Sequence, residues 1–282
     1  SLVAQIGRIP GVKSLKLLLA RINELTNNQL TKMNNDLLTY TLRLGDNALI
    51  LGQRLAEWCG HGPVLEQDIA LSNIALDQLG QARLLMQYAA ELKGEGATED
   101  QMAFFRDVYE YHNCLMLELP NDDWGKTIVR QFLFDSYNYF FYTELLSSKD
   151  ERLQAVAQKA IKEISYHAQW SAEWVIRLGD GTEESHERVQ QSLNDLWEWT
   201  GEMFTMDAVD EKMLETGIGV DLNYVKEQWE NKVTEILQLA TLDKPESGWM
   251  QSGGKQGEHS EYLGYLLAEM QHLPRMYPEA SW

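Results

Sequence analysis

Two hundred and eighty-two residues, 44% of them hydrophobic and 10% aromatic, suffice for one large core or two modest ones and exclude a disordered acidic tail. A formal charge of −19 makes phosphate backbones and anionic lipid surfaces poor partners, and no apolar run approaches the roughly 20 residues of a membrane-spanning helix. Two cysteines, Cys59 and Cys114, outside any Cys-x-x-Cys spacing, give no disulfide framework and point to a reducing cytoplasm.

In chain order, the first feature is a compositional seam. Residues 1–32 carry Arg8, Lys13, Lys16, Arg21 and Lys32 against Glu24 alone. Met33 then opens MNNDLLTYTLRLGDN, which reads like a native beginning followed by a helix, so residues 1–32 are expected to be an appendage and 33–282 the folded domain. Breakers recur at Gly60–Pro63, Gly94–Gly96, Pro120–Asp123, Ser147–Asp150, Gly179–Gly181, Gly217–Gly219 and Pro245–Gly257. The proline-free segments between them are rich in Leu, Ala, Gln, Glu and Met and poor in β-branched runs. They predict helices over 36–58, 65–93, 99–117, 123–146, 151–178, 184–206, 222–240 and 260–272. Several exceed 20 residues, so the expected architecture is all-α, a four-helix bundle with additional peripheral helices. Residues 180–246 hold 17 acids against 5 bases, read as a solvated face before a docking one.

On a wheel of 100° per residue, each long helix places one acid in an apolar row. Asp46 falls with Leu42, Leu49 and Ile50; Asp77 with Ala70, Ile74, Leu84 and Tyr88; Asp135 with Ile128, Phe132, Tyr139 and Tyr142; Glu163 with Val156, Ala160, Trp170 and Trp174. Two antiparallel hairpins would bring the four acids to one level. That is the layout of a di-iron carboxylate site, which takes a Glu from each of two helices and a Glu-x-x-His pair from each of the others. The imidazoles are missing: Gly80 stands three residues after Asp77 and Tyr166 three after Glu163, with His167 shifted by one. Glu183–His186 and Glu269–His272 have the spacing but lie outside the expected core. A buried polar network is the plainer reading. Unpaired buried carboxylates are costly, so Arg43, Lys159, His167, Tyr166 and the flanking amides, Asn73, Gln81, Gln131 and Asn138 among them, are the candidate partners.

Three strings carry a resemblance: LGDNALILGQRLAEWCGHGPVLEQDIALSNIALDQLGQAR (44–83), KAIKEISYHAQWS (159–171) and GGKQGEHSEYLGYLLAEMQHLPRMYPEASW (253–282). Together they resemble the structural, ferritin-like subunit family of bacterial phenylacetyl-CoA epoxidases, among the phenylacetic acid degradation proteins, over residues 33–282. The resemblance implies a ferritin-like bundle that is a structural, non-catalytic subunit of a multicomponent monooxygenase. The complex would epoxidise the ring of phenylacetyl-CoA in aerobic phenylacetate catabolism. It implies no cofactor in this chain: the iron would sit on a catalytic sister subunit, this chain's partner in a heteromer that also self-associates, with electrons from an NADPH-dependent reductase. Asp46, Asp77, Gly80, Asp135, Glu163 and Tyr166 would then be degenerate ligand positions. The competing reading is a di-iron oxygenase in its own right, using Asp46, Asp77, Asp135, Glu163 and His167.

Three further features admit two readings each. Tyr137, Tyr139, Phe140, Phe141 and Tyr142 cover more than one helix side, for core packing or a subunit interface. Gly253-Gly254-Lys255-Gln256-Gly257 is a tight connection or, through Lys255 and free N–H groups, a phosphate contact for CoA. Cys59 near His61 is a chain-reversing loop or a nucleophile with its base, though no third group follows.

Overall fold

The computed structural model describes residues 10–246 and 248–280, with side chains from residue 31 onward. Among the described residues there are nine α-helices and no strand: α1 (Pro10–Ala56), α2 (Leu65–Lys93), α3 (Glu99–Phe104), α4 (Trp124–Leu145), α5 (Glu151–Gly179), α6 (Glu183–Trp197), α7 (Ala208–Thr216), α8 (Leu222–Leu239) and α9 (Glu261–Met276). The chain is all-α, consistent with a ferritin-like helical bundle. Hairpins α1–α2 and α4–α5 form its centre and meet through α2 and α5, while α6 and α8 pack on α4.

The helix starts are set by side chains that satisfy otherwise orphaned N–H groups. Asp123 accepts from Lys126 N, Asp150 from Arg152 N and Leu153 N, and Asp207 from Val209 N and Asp210 N. α5 ends on Gly179, where a Cβ would overlap the Ala240 carbonyl, so the close approach of the α8 end requires glycine. One core runs through the molecule, from Leu51 and Leu55 on α1 through Phe132 and Phe134 on α4 to Trp229 on α8. At one end Trp124 meets the edges of Trp58, Trp170 and Trp174, tying the loop after α1 to α4 and α5. Tyr137, Phe141 and Tyr142 are buried and Tyr139 and Phe140 half-buried, so the aromatic run packs on more than one side of α4.

Four elements differ from expectation. The helix expected over 36–58 starts earlier, at Pro10, and runs through residue 32 without a break. The helix expected over 99–117 ends at Phe104 and gives way to two 3-10 turns, Val108–Glu110 and Leu115–Glu118. Buried side chains supply this segment's acceptors: Asp46 for His112 N, Asn47 for Cys114 N and Glu202 for Leu115 N. The helix expected over 184–206 stops at Trp197, and a 3-10 turn then turns Glu202 inward. α7 lies where no helix is expected, although Asp207 caps it and Gly217, at φ 75°, closes it.

Candidate functional site

Packing between α1 and α2 fixes where each acid can act. Gly45 lies against Leu85 and Met86, and Gly52 against Gln78 and Leu79, both at 3.0–3.4 Å from where a Cβ would stand. This antiparallel register puts Asp46 opposite Leu85, whereas the α1 residues at the level of Asp77 are Gln53 and Arg54. Eight helical residues, about 12 Å, separate the two levels. The expectation that all four acids share one level is therefore corrected: Asp46 lies about two turns away.

Asp46 is also committed. It is fully buried, ion-paired with Arg106 through both carboxylate oxygens, with Arg106 Nη1 3.0 Å from Oδ2, and it accepts the His112 N–H at 2.9 Å. Arg106 is held in turn by the carbonyls of Met102 and Glu110 and lies over the Tyr111 ring at 4.1 Å. Burial works against its charge, but the Asp46 carboxylate outweighs that and raises the guanidinium pKa. Arg43, expected as a partner for these acids, instead grips Asp207 at 2.9 and 2.5 Å and Asp210 at 3.2 Å. The guanidinium overcomes the effect of burial and holds the Asp207 carboxyl down to about 2.

The other three acids lie on α2, α4 and α5, each bonded to its own neighbour. Asp77 Oδ2 lies 3.0 Å from His167 Nε2, and Glu163 accepts from Gln81 Nε2 at 3.2 Å. The His167 ring is wholly buried, and burial lowers its pKa although Asp77 pulls the other way, so the imidazole is neutral at pH 7. Burial raises the Glu163 carboxyl, and nearby Asp77 raises it further while exposed Lys159 opposes. Asp135 is buried without a cation. It accepts from Gln131 Nε2 at 2.7 Å, and burial drives its pKa up to about 8 despite bonds from Ser171 and Gln131. Gly80 and Tyr166 are exposed, not turned into the bundle as degenerate ligand positions would be.

Buried amides surround these acids, and two of the flanking amides expected as partners take that role, Gln81 for Glu163 and Gln131 for Asp135. Gln78, Gln81 and Gln131 are buried, and Gln78 Nε2 and Oε1, Gln81 Oε1, Gln131 Oε1, Asp135 Oδ2 and His167 Nδ1 find no partner among the described residues. Their signal was present in the sequence as glutamine on apolar rows of long helices. A polar interior of neutral amides and a protonated acid suits ordered water more than a cation. No three His, Cys, Asp or Glu among the described residues converge as a metal site. Two iron ions need ionised carboxylates that bridge and imidazoles that terminate. With Asp46 paired to Arg106 and distant, Asp135 protonated and one neutral imidazole bonded to Asp77, the residues do not fit such a centre.

The glycine-rich string near the C-terminus is a clasp. Glu202 Oε1 accepts from Gly253 N at 2.9 Å and Gly254 N at 2.6 Å, and its Oε2 from Leu115 N at 2.8 Å. A Cβ at Gly254 would overlap the Asn113 carbonyl. Lys255, expected as a phosphate contact, is buried with Nζ 2.8 Å from both Thr205 O and Asp210 Oδ2; those partners, not an anion, satisfy it. Glu118, wholly buried, binds His259 Nδ1 and Ser260 Oγ at 2.5 Å each and Ser260 N at 2.9 Å. Cys59 and His61 are both exposed, and the imidazole Nδ1 bonds the Cys59 carbonyl at 3.1 Å, as in a turn. His186 bonds the Gly179 carbonyl at the start of α6, and Glu269 and His272 are exposed on α9, away from the bundle interior.

A family model for phenylacetic acid catabolic proteins matches residues 21–282. The chain is 48% identical over 248 residues to a subunit of the 1,2-phenylacetyl-CoA epoxidase of Escherichia coli (strain K12), an alignment covering 88% of this chain and the whole of that protein.

Proposed function

Because this chain belongs to the phenylacetic acid catabolic protein family, we propose that it is a structural, non-catalytic subunit of a phenylacetyl-CoA ring epoxidase in aerobic phenylacetate catabolism. In this reading the iron and the oxygen chemistry belong to a sister subunit that this chain binds and stabilises. The observation that carries it is the Asp46–Arg106 pair, which commits the carboxylate α1 would offer to a guanidinium. The protonated Asp135 supports the same reading. No helix among the described residues is long and apolar enough to cross a membrane, which agrees with a cytoplasmic complex that needs neither lipid nor nucleic acid.

The physical role follows from rigidity. A bundle that holds catalytic iron must admit substrate and oxygen between its helices, and a firmly packed neighbour restrains the helices that carry the ligands. Buried ion pairs, the carboxylate clasp and the tryptophan cluster give this chain that firmness. The test is metal analysis of the purified chain after aerobic iron supplementation, beside co-expression with the other epoxidase subunits. A stable heteromer without stoichiometric iron in this chain is expected. Two irons per chain would overturn the proposal and make Asp77, Asp135, Glu163 and His167 ligands after rearrangement.

A further inference from the structure

α2 and α5 present one continuous face to solvent. They run antiparallel, locked by Asp77–His167 and Gln81–Glu163 in the middle and by Tyr88–Asp150 and Arg152–Glu91 at one end. Along α2 the outward row passes through Leu65, Ile69, Leu76, Gly80 and Arg83, with Leu65 71% and Leu76 65% exposed; Tyr166, 52% exposed, stands beside it on α5. Large apolar side chains in such a row normally lie against another element.

Gly80 sits in the centre of this row. Glycine costs about 1 kcal/mol relative to alanine inside a helix. At Gly45 and Gly52 the cost has a cause within the chain, the close approach of α1 and α2. At Gly80 a Cβ would meet nothing within 4 Å, so nothing among the described residues requires it to be glycine. A backbone approaching from outside would. Between Gly80 and Lys159 lies a dent of about 90 Å³, lined also by Leu76, Leu84 and Glu163.

The face carries exposed lysines in an acidic molecule. Lys159 and Lys162 are exposed and make no ion pair among the described residues, in a chain of net charge −19. The two acids between the helices are bonded to neighbours within the seam, Asp77 to His167 and Glu163 to Gln81. Arg83 already pairs with Glu99. A second copy meeting this face across a two-fold axis near Gly80 would set lysines against lysines, which disfavours self-pairing. The charge suits a different chain bearing carboxylates.

We infer that the α2–α5 face, centred on Gly80, receives an acidic helix of another subunit of the same epoxidase complex, seated against Leu76, Tyr166, Lys159 and Lys162. This rests on the reading of the chain as a complex subunit. The test co-expresses it with the remaining epoxidase subunits of its own bacterium and measures heteromer affinity and isolated-chain melting for Gly80→Leu, for Lys159→Glu with Lys162→Glu, and for Gly264→Leu. Gly264 on α9 is the other helix glycine whose Cβ would meet nothing within 4 Å. Gly80→Leu is expected to melt no lower than the parent chain while weakening the heteromer roughly tenfold or more, the loss typical of a central interface position. The lysine reversals weaken it too, by an amount that shrinks at high salt. If the parent heteromer forms and the Gly80 and lysine variants bind like it, or if only Gly264→Leu disrupts it, the face is wrong and the subunit reading stands. If Gly80→Leu abolishes self-association and spares the heteromer, the occupant is wrong. If the parent chain binds none of the subunits, the subunit reading fails and takes this inference with it.

Discussion

Asp135→Asn should stabilise this protein at neutral pH and not at acid pH. Burial moves the Asp135 carboxyl from an ordinary 3.8 up to about 8, so at pH 7 the folded chain keeps a proton that the unfolded chain releases. Each pKa unit is 1.36 kcal/mol. A raised acid contributes fully below its unfolded pKa and loses that contribution as pH climbs toward the folded pKa, so between pH 4 and 7 folding loses about 4 kcal/mol at this residue. Asparagine removes the titration, keeps an oxygen for the Gln131 amide 2.7 Å away and places an NH₂ where the unpartnered Oδ2 stands. The assay is urea unfolding of both proteins at half-unit steps from pH 4.5 to 8, reading the difference in stability so that all other titrations cancel. The difference should turn in favour of Asp135→Asn by about 1 kcal/mol per pH unit, levelling near pH 8. A difference that stays flat with pH, or a variant that is less stable throughout, would mean that Asp135 is ionised and paired in the native state, as a metal ligand would be.

The Asp46–Arg106 pair yields a second test. Arg106→Met leaves a wholly buried carboxylate uncompensated and should cost about 3–5 kcal/mol, whereas Arg106→Met with Asp46→Leu should recover much of it; chemical denaturation of the three proteins decides, and no recovery would refute the pairing. At the clasp, burial lowers the His259 pKa but the Glu118 carboxylate outweighs it and raises it, so the stabilisation is full below about pH 6.5 and fades as pH rises through the folded value. His259→Asn should therefore destabilise more at pH 6 than at pH 9, and equal losses would show that the imidazole is not charged there. Gly254→Ala drives a Cβ into the Asn113 carbonyl and should lower stability by about 2–3 kcal/mol, measurable as a fall in melting temperature.

The long helices were legible because their signals are local. Leu65–Lys93 was bounded from the sequence to the residue, since Pro63 and Gly94 flank a strongly helical run. Segment 99–117 was not, because its composition favours helix while its backbone donors are claimed by Asp46, Asn47 and Glu202, residues 60 to 90 positions away. The wheel put all four acids inside; Asp46 and Asp135 lie there, whereas Asp77 and Glu163 are half-exposed. What it could not supply was register. Counting 31 residues from Asp46 to Asp77 assumed a symmetric hairpin, and the eight-residue link 57–64 between α1 and α2 does not reverse the chain at its midpoint. Gly45 and Gly52 held the missing information, because they mark where two backbones touch, but a glycine does not say which residue it touches. The two readings of Lys255 stayed open for a related reason: a basic residue in a glycine loop looks free until the acid that binds it, Asp210, arrives from 45 residues away, and the tight connection is the one the structure shows.

The same logic distinguishes this bundle from one built around iron. A metal centre concentrates carboxylates at one level and offsets their mutual repulsion with the ion itself. Here the charges are spread out and each has its own counterweight: Arg106 for Asp46, Arg43 and Lys255 for the Asp207–Asp210 corner, backbone N–H groups for Glu202, and a proton for Asp135. Protons and amides fill the middle, where Gln78, Gln81 and Gln131 stand in the rows a metal site would give to acids. A divalent ion entering such an interior would have to displace the Asp135 proton. Iron binding, if it were forced, would have to climb with pH through about 8, where that carboxyl loses its proton. In the reading proposed above, a structural subunit arranged in this way would keep its fold independent of the iron supply on which its partner's chemistry would depend.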